Sequence, residues 1–282
     1  MLAGGLRTGA RRVEAVLEML ARQAGGRGLG EGVEEARQRW LRQLKKVRRA
    51  AGAVRDLDVH RKLLADNFLP PDKTAGELTE VMAAAEGSEK ITLLAGETHA
   101  LDSWLKHRRA DAADALCTTL DHHADRLLQA ERQFMAAMAH RRWNASRAQR
   151  PAARLALEDY LRLVDAMPLL DKENLHDFRK GAKKARYVTE SEENDPAAKA
   201  IAKTIKRVQD AIGEWHDWDV LTGEAREALG NDGEALRHEL AARAQRAYER
   251  ALRMTTATHR RLVGEWRASR SRRQRQGTRR KP

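Results

Sequence analysis

A chain of 282 residues with a single cysteine, Cys117, can bury a core without covalent staples, so a secreted disulfide scaffold or a cysteine-rich zinc cluster is excluded. Charged residues make up 34% and aromatics only 4%, a balance that suits long, solvated, amphipathic helices. The formal net charge of +13 calls for an anionic partner: nucleic acid, a phosphate polymer or an anionic surface.

The opening MLAGGLRTGARR lacks the apolar centre of a signal peptide, and no apolar run approaches the roughly 20 residues of a membrane helix. A soluble, cytoplasmic protein without membrane contact is expected. The first helical face is marked by Leu6, Ala10, Val13, Leu17 and Leu20, and the glycine cluster from Gly25 to Gly32 ends it. Leu41, Leu44, Val47, Ala51 and Val54 mark a second, with basic flanks and with Gly52 as a candidate bend. Beyond Pro70-Pro71 the periodicity predicts helices over 86–107 and 110–142, then Pro151 as a helix opener. Further helices are predicted over 152–164, 175–189, 197–212, 219–229 and 235–266. No segment alternates long enough for a strand, so the fold class is all-α. From Arg267 to Pro282 eight basic residues stand with no acidic one. That run has no apolar periodicity and is expected to be a disordered basic tail.

Two blocks of the first half recur in the second. Leu44-Lys45-Lys46-Val47 through Gly52 to Arg55-Asp56-Leu57-Asp58-Val59 aligns with Ile205-Lys206-Arg207-Val208 through Gly213 to His216-Asp217-Trp218-Asp219-Val220. Upstream, Leu6 to Arg12 aligns with Phe178 to Lys184. The fold expected is therefore two pseudo-symmetric helical bundles from an internal duplication, with halves of about 1–150 and 151–266. In the second copy His176, Arg179, Lys183 and Arg186 share one helix face beside an apolar stripe of Leu175, Phe178, Ala182 and Ala185. The first copy has Arg7 and Arg11 there, with Gly4 for the histidine and Glu14 for the last arginine. On the next helix Arg42, Lys45 and Arg48 are matched by Lys203, Lys206 and Gln209. Stacked like charges cost a few tenths of a kcal/mol per pair; a bound polyanion offsets that cost.

With LHDFRKGAKKARY at 175–187, AIGEWHDWDV at 211–220, RAAGAVRDLDV at 49–59 and the weaker LRTGARR at 6–12, the chain resembles the CHAD family of helical domains. The resemblance extends over residues 1–266 and implies a non-enzymatic binder of inorganic polyphosphate, with a basic surface or channel between two bundles and association with polyphosphate granules. It implies binding roles for Arg7, Arg11, Arg12, Lys45 and Arg48 in the first copy and for His176, Arg179, Lys183, Lys184, Lys206 and Arg207 in the second. Arginine suits such a ligand because its planar fork donates two parallel hydrogen bonds to phosphate, while lysine is a mobile point charge. The first motif lacks its histidine, so either the chain starts within it or that half-site is weaker. No Glu-x-Glu-x-Lys motif of a fused CYTH catalytic domain is present.

Asp56 and Asp217 are read as helix N-caps or as partners that orient basic side chains. A metal-dependent phosphohydrolase is the weaker rival. Asp56, Asp58 and His60, the run Asp121-His122-His123-Asp125, and His216, Asp217 and Asp219 gather histidines and acids, but without His-x-x-x-His or Glu-x-x-His spacing. No metal, cofactor or catalytic serine or cysteine is expected. Nucleic acid is the alternative anionic partner. Trp40, Trp104, Trp143, Trp215, Trp218 and Trp266 are read as core or flanking residues rather than base-stacking platforms.

Overall fold

The computed structural model describes residues 2–24, 28–69, 88–139, 152–189 and 195–278. Among them there are seven α-helices and no strand: α1 Leu2–Gln23, α2 Glu31–Phe68, α3 Ser88–Ala139, α4 Ala152–Ala166, α5 Leu175–Thr189, α6 Pro196–Leu229 and α7 Glu234–Thr278. No described helix is long and apolar enough to cross a membrane. Pro151 and the extremes of the 86–107 and 110–142 predictions lie outside the described residues.

Several helices are longer than the sequence suggests. The two predicted after Pro70-Pro71 are one helix, α3, because Leu101, Leu105 and Leu116 carry the buried face across the expected break and no glycine or proline interrupts it there. The two predicted over 197–229 are also one. Ile212, Trp215, Trp218, Leu221 and Ala225 are all buried and continue the stripe through Gly213. α2 passes through Gly52 without ending. The tail expected to be disordered continues α7 as helix to Thr278: between Arg267 and Gly277 there is no proline, and its arginines and glutamines are good helix formers.

Contacts sort the chain into two compact units, Met1–Ala148 with Asp217–Ala244, and Gln149–His216 with Gln245–Pro282. The segment Asp217–Ala244, placed in the second half by sequence, thus groups with the first unit. In that unit α2 packs along both α1 and α3. One core cluster gathers Leu17, Leu29, Val33, Leu44 and Phe134, with the Trp40 ring 5.4 Å from Phe134 and tilted by 40°. Another gathers Ala3, Ala51, Val54 and Leu116. These alanines let the backbones approach closely. α2 has no side-chain N-cap: Gly30 stands there at φ 83°, in the region glycine enters without strain, and Glu31 and Glu34 in the first turn complement the helix dipole. The start of α7 is capped from another helix, since the buried Glu97 of α3 accepts a 2.6 Å hydrogen bond from the Leu236 backbone N–H.

In the other unit α4 packs on α5. Tyr160 and Phe178 meet edge to face at 5.8 Å, and a Cβ at Gly181 would stand 2.6 Å from Leu163 Cδ1, so glycine permits the close crossing. Asp195 caps α6 by accepting a 2.8 Å bond from the Ala197 N–H, with Pro196 in the first helical position.

Candidate anion-binding faces

The α5/α6 face is built on the amphipathic pattern of Leu175–Thr189. Leu175, Phe178, Ala182 and Ala185 are buried, which fixes His176, Arg179 and Lys183 at the half-buried edge of that stripe. Arg179 reaches α6 at Gly213, where a Cβ would stand 3.0 Å from Nη2 and 3.4 Å from Nε. Glycine leaves the guanidinium a flat bed of helix backbone. Beside it the rings of His176 and His216 lie 4.4 Å apart, inclined by 45°. Burial, followed by the charges of Lys180 and Arg179, holds His176 below the ordinary imidazole value; Asp177 opposes this and Lys183 adds to it. Asp177 accepts a 2.8 Å bond from Lys180, and that bond keeps its carboxyl below the usual range.

The α1/α2 face repeats the arrangement with different charges. Arg7 crosses α2 at Gly52, 3.7 Å from Nε to the place of a Cβ, and is ion-paired with Asp56. At Gly4 the same space is approached by Arg55 Cδ at 3.5 Å. Arg48 donates to Glu14 at 2.9 Å. So two of the basic side chains singled out in the first copy already have carboxylate partners within the protein.

Asp56 and Asp217 both lie inside long helices, α2 and α6, so neither is an N-cap. Asp56 instead fulfils the other expected role by holding Arg7. Of the remaining candidates, Arg11 is half-buried, and Arg12, Lys45, Lys184, Lys206 and Arg207 are exposed. Lys206 also donates to Asp210 at 2.5 Å. Lys45 and Lys206 stand two turns before Gly52 and Gly213 respectively, which puts each on the face that receives the arginine. The sequence candidates omitted His216, Arg55 and the two glycines. Their signal was available, because Gly52 and Gly213 occupy the same place in the two aligned blocks.

Elsewhere in the first unit His60 is buried, with 3% of its side chain exposed, and its Nδ1 lies 2.8 Å from Glu224 Oε2. Burial opposes its charge, but the hydrogen bond and charge of Glu224, with Asp217 and Asp56 at longer range, outweigh burial and raise His60 above the ordinary value. Among the described residues no three His, Cys, Asp or Glu side chains converge as metal ligands. Trp215 and Trp218 are buried, and Trp218 packs with Phe68 under the Arg243 guanidinium.

No curated protein and no solved structure matches the chain. A family model does: the CHAD domain matches residues 5–226. That span takes in both aligned blocks, and the chain belongs to the CHAD domain family.

Proposed function

We propose that this protein binds inorganic polyphosphate, without turning it over, on the basic faces of α1/α2 and α5/α6. The observation that carries the reading is Arg179 laid across Gly213 beside the His176–His216 pair, matched by Arg7 laid across Gly52. Each guanidinium is positioned by packing across a glycine, so it loses little further entropy when a phosphate oxygen binds it. Family membership supports the same ligand class. Many moderate contacts of this kind suit a repeating polyanion better than a single small phosphate ester. The matching of contacts across the aligned blocks supports descent of both faces from one duplicated helical unit.

Binding without chemistry is the other half of the proposal. Asp56 is held in an ion pair with Arg7, and the sequence offers no patterned nucleophile with a base beside either arginine. Nucleic acid is the less favoured ligand, since the buried Trp215 and Trp218 are withheld from base stacking. Association with polyphosphate granules in the cytoplasm follows from this reading as an expectation.

The test is competition together with turnover. Long-chain polyphosphate should displace a labelled oligonucleotide at far lower concentration than the reverse, and no phosphate should be released in the presence of magnesium or manganese. Sustained release beyond the protein's stoichiometry, abolished by Asp56→Asn with Asp217→Asn, would make the protein an enzyme.

A further inference from the structure

Gln209 of α6 is only 5% exposed, and its amide nitrogen Nε2 is enclosed with no hydrogen-bond acceptor among the described residues. A buried donor without an acceptor costs stability, and packing alone gives no reason to keep one. Its place in the fold does. Gln209, Gly213 and His216 follow one another at spacings of four and three, so they share one face of α6. The other two both meet α5: Gly213 lies beneath the Arg179 guanidinium and His216 against the His176 ring. From His216 to Gly213 the contacts advance along α5 from His176 to Arg179, so the next turn of α6 brings Gln209 to the level of Lys183 and Arg186.

The first copy has an acceptor at this place and the second does not. Arg48, which aligns with Gln209, donates at 2.9 Å to Glu14, which aligns with Arg186. Where α1 offers a carboxylate, α5 offers a guanidinium, and a guanidinium only donates. An anionic oxygen from outside the protein is what the Gln209 amide can bond.

We propose that Gln209 is a further ligand-contacting residue of the α5/α6 face, its Nε2–H donating to a phosphate oxygen one turn beyond Arg179. The α1/α2 face makes no such contact, because Glu14 already fills the equivalent place. This rests on polyphosphate being the ligand. The flexible stem of Lys183, half-buried at the same level, swings outward with the phosphate and uncovers the amide. A neutral donor adds a hydrogen bond without adding to the repulsion among the cations of α5.

The experiment is titration of the full chain with labelled long-chain polyphosphate, read by fluorescence polarisation at several ionic strengths, beside chemical denaturation of the same proteins. Gln209→Met, close in shape but without the donor, should weaken binding roughly tenfold. Its log–log salt slope should match the wild type, since a neutral contact releases no counterion, and its denaturation midpoint should stay or rise, since a buried unpaired donor has gone. Gln209→Glu should bind more weakly still, because its carboxylate repels phosphate. Wild-type affinity in Gln209→Met, a loss of affinity accompanied by a lower midpoint or a flatter slope, or a Gln209→Glu variant that binds as well as Gln209→Met would overturn the contact and leave the proposed function standing. An absence of polyphosphate binding by the wild-type chain would overturn both.

Discussion

Three glycines in this protein have three different neighbours, and substitution by alanine should separate them. A methyl at Gly213 would crowd the end of the Arg179 side chain at 3.0 Å. That group can shift, so Gly213→Ala should leave the fold intact yet weaken polyphosphate binding by displacing the guanidinium. At Gly52 the nearest atom of Arg7 is at an ordinary 3.7 Å, so Gly52→Ala should raise stability by roughly 0.5–1 kcal/mol, the helix-propensity gain, with little effect on binding. Gly181→Ala meets Leu163 at 2.6 Å inside the α4/α5 contact and should destabilise by roughly 1–3 kcal/mol. Chemical denaturation and polyphosphate titration of the three variants check this order; equal binding losses at Gly52 and Gly213 would contradict it. Glu97→Ala strips the buried cap from Leu236 N–H and should cost about 1–3 kcal/mol, read as a lower denaturation midpoint.

Two buried or half-buried histidines give helix pairs opposite responses to pH. His60 of α2 is raised by Glu224 of α6, so its contribution to stability is complete below the unfolded imidazole value of about 6.5 and is lost as pH rises through its higher folded value. His176 of α5 is lowered by burial and neighbouring cations. The unfolded chain therefore takes up that proton first, and stability from this site is lost as pH falls through about 6.5. His60→Gln should consequently lower Tm more at about pH 5.5 than at pH 8, and His176→Asn should give its least loss, or a gain, at the acid end. Melting curves across that range decide the matter. Parallel losses at all pH values would mean that neither histidine changes its protonation on folding.

For the whole molecule the question is whether fixed or terminal charges hold the ligand. Arg179 is set in place by α6, whereas Arg267 to Lys281 bring eight basic residues with no acid among them. Arg179→Glu with Lys183→Glu should weaken polyphosphate binding by at least about tenfold, because each lost charge-assisted contact is worth about 1.5–3 kcal/mol. Deleting residues 267–282 should cost less, although it removes more charge. The log–log salt slope of the double reversal should also flatten, by about 0.7 per lost contact on the single-strand coefficient. Fluorescence polarisation at several ionic strengths measures both effects, and a deletion that abolishes binding while the double reversal preserves it would move the site to the terminus.

The amino-acid pattern by itself determined the all-α class, the face on which each basic side chain lies and the repetition of both blocks, because these depend on spacing within one helix. Leu175, Phe178, Ala182 and Ala185 had to be one stripe, and His176, Arg179 and Lys183 its edge. Helix length was less legible at 107–110 and 212–219, where loss of polar–apolar contrast resembled a break and continuous burial of residues such as Trp215 and Trp218 carried the helix on. Tertiary structure alone decided the partners: Arg7 with Asp56, Arg48 with Glu14, Glu97 with the start of α7, and Arg179 with Gly213. Helical periodicity tells which way a side chain faces but not which distant segment it meets. The His176–His216 contact, forty residues apart in the chain, exists only because α5 lies against α6.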